Sequence, residues 1–101
     1  MSESEDMNKK FEKFITELED GNFEVKDRKG NKYILEEGTG EDLEKAQDIS
    51  TKMNKTVELI LLKKMLIEPK LSDDDIRALP TSTYTRLKLS VGYITGLTDF
   101  L

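Results

Sequence analysis

The sequence predicts a mainly α-helical α+β fold: a small helical domain with one β-hairpin in its N-terminal half packed on helices. Three observations carry this. Residues 41–68 contain neither glycine nor proline and repeat apolar side chains at roughly helical spacing. Phe23 and Val25, then Tyr33 and Leu35, alternate with polar residues on either side of Asp27-Arg28-Lys29-Gly30. Two prolines, Pro69 and Pro80, bracket a short segment that opens on Ser72 and three aspartates.

With 101 residues the chain supports one domain and not two. Charged residues (37%) slightly outnumber hydrophobic ones (36%), so the core is modest and the surface heavily charged. The start, Met1-Ser2-Glu3-Ser4-Glu5-Asp6, has the wrong charge for a signal or transit peptide. No apolar run reaches the roughly 18 residues that a membrane span needs. A cytosolic protein is the expectation. There is no cysteine and no histidine, which removes disulfides, the usual zinc sites and the Ser-His and Cys-His nucleophiles. No cofactor, metal or catalytic residue is therefore assigned, and a non-catalytic role is expected. Residues 1–50 carry 15 acids and 8 bases, residues 51–101 carry 6 acids and 8 bases. The acidic half argues against nucleic-acid binding, and the basic half is too dilute to argue for it.

Residues 1–7 read as a disordered acidic tail. In residues 8–20, Phe11, Phe14, Ile15 and Leu18 fall at i, i+3, i+4, i+7, which predicts a helix with Gly21 as its C-terminal cap. That helix is either packed by one stripe or detachable for docking. Residues 22–37 read as the hairpin, closed by a type I turn with Gly30 at positive φ. It packs on a helix or pairs through its open edge, the former being preferred. Gly38-Thr39-Gly40-Glu41 is a break with Thr39 available as a cap; it lacks the lysine–hydroxyl pair of a phosphate loop.

Residues 41–68 form one helix or, by preference, two joined near residues 50–54, where Ser50, Thr51 and Asn54 compete for backbone bonds. The second part is apolar on most of its circumference, so it is either central in the core or covered by another molecule. Residues 72–79 form a short helix with Ser72 and Asp75 placed as a capping box. Its aspartates point in different directions and cannot share one ion. The last helix, residues 82–95, is capped by Thr81 or Ser82, carries the stripe Tyr84, Leu87, Val91 and Ile94, and ends at Gly96. Leu89 lies off that stripe, and Phe100 and Leu101 are either tucked in or available.

The order "I-E-P-K-L-S-D-D-D-I", then "L-P", then a helix ending in Gly96-Leu97, resembles the tail assembly chaperones of long-tailed bacteriophages. The hairpin followed by "G-T-G-E-D" and a helix resembles that family's opening. Together the resemblance spans residues 22–97 and leaves the segment through Asp20 unmatched. It implies a protein made during infection, in the cytoplasm of the host and absent from the mature virion. Such a protein holds the tape measure protein and helps tail tube protein polymerise around it. In many relatives a programmed frameshift gives a longer form.

A chaperone for a long helical client needs apolar grooves on a soluble exterior, and the expected partner-binding set is Val57, Leu59, Ile60, Leu62 and Leu66 with Tyr84, Leu87, Val91 and Ile94. On that expectation Leu62→Asp removes client binding and leaves the domain folded. The exposed apolar helix and open hairpin edge also imply a homo-oligomer. The rival readings are a structural tail or baseplate component and an acidic regulatory protein, such as an antitoxin or host-enzyme inhibitor.

Overall fold

The computed structural model describes residues 13–53 and 56–96, which form four helices and a four-stranded antiparallel sheet. In chain order these are β1 (Ile15–Glu17), β2 (Phe23–Lys26), β3 (Lys32–Leu35), α1 (Gly40–Met53), α2 (Val57–Met65), β4 (Leu66–Glu68), α3 (Asp73–Arg77) and α4 (Thr81–Thr95). The acidic tail, residues 8–12 of the expected first helix, and Leu97–Leu101 lie outside the described residues.

The sheet is built around the turn that joins β2 to β3. Gly30 donates its amide to the Asp27 carbonyl at 3.1 Å and sits at φ 86, a conformation costly for any residue with a Cβ. The Asp27 carboxylate accepts from the amides of Lys29 (2.9 Å) and Asn31 (2.8 Å) and from Asn31 Nδ2 (2.9 Å). This fixes the register Phe23↔Leu35 and Val25↔Tyr33, so all four side chains share one face. Arg86 of α4 stacks over the Phe14 ring at 5.1 Å and donates to the Lys26 carbonyl at 3.0 Å, which holds the last helix beside β2.

Residues 15–17, expected as helix, are a strand. Ile15 pairs with Val25 and is buried, while Thr16 and Glu17 are exposed. Gly21, at φ 87, belongs to the turn between β1 and β2 and caps no helix; Asp20 there accepts from the Asn22 amide at 2.9 Å. Pairing with β2, rather than helical bonding, satisfies the backbone of these residues. Residues 66–68, expected to close a helix, are strand β4. Glu68 precedes Pro69, which disfavours helical backbone at that residue, and Leu66 and Glu68 pair with Leu35 and Ile34. The expected single hairpin is thus the middle of a larger sheet of order β1-β2-β3-β4.

The helix ends follow local chemistry. Thr39 and Asp42 bond reciprocally at the start of α1 (3.0 and 3.2 Å), and Thr56 accepts from the Leu59 amide at the start of α2. Ser72 and Asp75 form the capping box of α3, both bonds at 3.1 Å. Neither Thr81 nor Ser82 caps α4: Pro80 holds that position with no side-chain bond. Gly96, in the left-handed region, ends the helix. Ser50 and Thr51 lie within α1, and the Thr51 hydroxyl donates back to the Gln47 carbonyl at 3.1 Å.

The core lies where the inner face of the sheet meets α2 and α4. Val25 and Leu35 from the sheet, Leu61 and Met65 from α2, and Leu87 and Val91 from α4 are all buried in it. α1 packs on the far side of α2 and contributes Ala46. No helix among the described residues is long and apolar enough to cross a membrane.

Candidate functional site

The apolar residues left over by this packing gather at one place. α1 ends with Ile49 and Met53 one turn apart, and they remain 38% and 58% exposed. They face Leu59, Ile60 and Lys63 of α2, and the third wall is α3, through Asp73 and Arg77. These three helices enclose an open groove of about 270 Å³ with an apolar floor and a charged rim. Each wall offers side chains one helical turn apart, as helix geometry dictates for residues on one face.

Charge on the rim is unequal. Lys63 Nζ lies 3.2 Å from Asp73 Oδ1, so that cation is paired. The Arg77 guanidinium takes no ion pair or hydrogen bond among the described residues. Elsewhere α1 and α2 are clamped together by Lys64 and Asp42, 2.7 Å apart. The bond from Lys64 holds the Asp42 carboxyl below its ordinary range, against the opposing effect of desolvation, and the same bond raises the Lys64 pKa. This clamp sits at the opposite end of α1 from Met53.

The expected partner-binding set divides. Leu62, Leu66, Leu87 and Val91 are wholly buried, which corrects the expectation that they present a docking face. The reason is geometric: α4 lies across both the sheet and α2, so its stripe and the inner face of α2 fill one core. Leu62 is 1% exposed, so it was wrongly placed among the accessible members of the set. Leu59 and Ile60 line the groove. Ile94 borders a separate, smaller cleft of about 160 Å³ beside Gly38 and Leu43, while Val57 and Tyr84 are half-buried against the core. No family model matches the chain, and neither a curated protein nor a solved structure matches it.

Ile49, Met53, Lys63, Asp73 and Arg77 are the groove residues that sequence reasoning did not assign. Ile49 and Met53 fall within the helical spacing of residues 41–68, which says that they share a face but not whether that face is covered. Their signal was their position: an apolar pair at the end of a helix that is otherwise mostly polar. Leu89, exposed on α4, and Ile67, on β4, are apolar residues outside this groove.

Proposed function

We propose that this chain is a non-catalytic tail assembly chaperone of a long-tailed phage, which holds the tape measure protein and assists polymerisation of the tail tube around it. One observation carries the reading: the three-helix groove with Ile49 and Met53 exposed and Leu59 and Ile60 half-buried along its floor. Such a surface suits repeated, reversible contact with apolar side chains of a long helical client. The segment that carries the family resemblance, from Glu68 to Pro80, contains the capped helix that forms one groove wall. The acidic first half keeps the free protein soluble, and several copies along one client are the expected working form. It acts in the cytoplasm of the infected host and leaves before the virion is complete.

The test is co-expression with the tape measure protein of the same phage. The unaltered chain co-purifies with it at both low and high salt, because burial of apolar surface drives the contact. Met53→Asp keeps the circular dichroism of the parent and loses capture by at least about tenfold. Capture that vanishes in high salt supports an acidic regulatory protein instead. Detection of the chain in purified virions by mass spectrometry supports a structural tail part. Unchanged capture by Met53→Asp removes the groove as the client site.

A further inference from the structure

The groove reveals the chemistry of what fills it. We infer that its occupant is an amphipathic helix bearing a carboxylate, seated with two apolar side chains one turn apart on the α1–α2 floor and its acid on Arg77. This rests on reading the groove as the client site.

The size comes first. At about 270 Å³ the groove lies at the lower end of the roughly 300–1,000 Å³ of small-molecule pockets, and it is partly open to solvent. It has room for a few side chains of a larger partner. The walls come second. Among the described residues, those that line the groove all belong to helices, and none belongs to a strand. An extended peptide would find no sheet edge to satisfy its backbone there, whereas a fourth helix brings its own backbone bonds satisfied and packs ridges into grooves.

Charge comes third. Lys63 is paired with Asp73, and Arg77 stands on the rim with no ion pair or hydrogen bond among the described residues. An apolar helix laid over the groove strips water from that guanidinium and gives nothing back, which is costly for a buried cation. A carboxylate on the occupant restores the balance and can bond to the planar guanidinium through two oxygens.

The full-length chain is titrated with synthetic Ala-rich helical peptides carrying Leu at i and i+4 and a Glu one turn before or one turn after. Each peptide has a twin with Gln in place of Glu, and binding is read by fluorescence anisotropy. One Glu peptide is expected to bind about fivefold tighter than its twin, in line with one partly solvated ion pair. Arg77→Gln, whose fold is checked by circular dichroism, removes that difference. Arg77→Glu reverses it in favour of a peptide with Lys at that position.

Equal binding of every Glu and Gln pair overturns the inference, as does a difference that survives Arg77→Gln. So does a dimer in sedimentation that Met53→Asp dissolves, since a second copy then fills the groove. Failure of all peptides alongside intact capture of the tape measure protein sinks the inference and leaves the proposed function standing. Arg77-dependent peptide binding without such capture sinks the proposed function and leaves the inference standing.

Discussion

α1 and α4 are nearly equal in length, at 14 and 15 residues, yet they meet the rest of the molecule in opposite ways. α4 buries Thr83, Leu87, Ser90, Val91 and Gly92, whereas α1 buries Ala46 alone. Inside α4 the polar atoms are satisfied locally: Ser90 Oγ donates to the Arg86 carbonyl at 2.6 Å, and Thr95 Oγ1 to that of Val91 at 2.7 Å. Small side chains on its inner face let it approach α2 and the sheet closely. α1 is held by its Thr39 cap, the Asp42–Lys64 pair and one alanine, and its outer face is stitched by Glu41–Lys45 and Asp48–Lys52. Its apolar stripe is longer than the part that α2 covers. The lesson is that α4 completes the domain, while α1 leaves an apolar edge that the domain does not use.

The sharpest way to break this comparison is a charge on the covered side. Leu62→Asp places a carboxylate in a site 1% exposed, surrounded by apolar side chains. It loses the transfer energy of leucine and adds an unpaired buried charge, about 4 kcal/mol or more, a large share of the 5–15 kcal/mol that stabilises a typical domain. The variant is expected to be unfolded by circular dichroism at 25 °C. A folded Leu62→Asp with native-like amide spectra would mean that the inner face of α2 tolerates water, and the contrast between covered and spare surface would fail.

How far the sequence revealed this arrangement depends on the range of the interaction. The Asp27–Gly30 turn, the Thr39 cap and the Ser72–Asp75 capping box were legible because each is decided within about five residues. β1 and β4 were not. Each is three residues long, too short to show alternation, and each exists only because another strand satisfies its backbone, the neighbouring β2 for β1 and the distant β3 for β4. The groove was half legible. An apolar surplus around Val57–Ile67 was evident, but α4 decides which of those residues are covered. Leu62 and Leu66 therefore went inside, and Leu59 and Ile60 stayed half-buried on the groove floor.

A smaller effect, confined to the α4 side, is expected at Asp27. Its buried carboxylate fixes the turn beside β2, the strand that receives Arg86. Burial works to raise its pKa, but the bonds from Asn31, Lys29 and Gly30 outweigh this and hold it below the ordinary value. A carboxyl with a lowered folded-state pKa stabilises the fold above its unfolded pKa, about 3.9, and the benefit disappears as pH falls through the folded value. Asp27→Ala is expected to cost about 1–3 kcal/mol at pH 7 in urea denaturation, for the unmade bonds of the turn amides. The gap from the parent should shrink as pH drops below about 4. A gap that is constant from pH 7 to pH 3 would mean that the carboxylate charge contributes nothing to the turn.

The smallest effect is the most informative about α1. Ile49→Ala removes apolar atoms from a side chain that is 38% exposed on the groove floor, so the folded monomer already gives up part of its burial. The cost is expected to be about 0.5–1 kcal/mol, well below the roughly 2–5 kcal/mol of the same change at a fully buried site. Alanine also favours helix more than isoleucine does, which offsets some of that loss. Urea denaturation of parent and variant measures the difference directly. A loss above about 2 kcal/mol would place Ile49 with the load of the core rather than with the spare edge, and α1 and α4 would then differ in degree rather than in role.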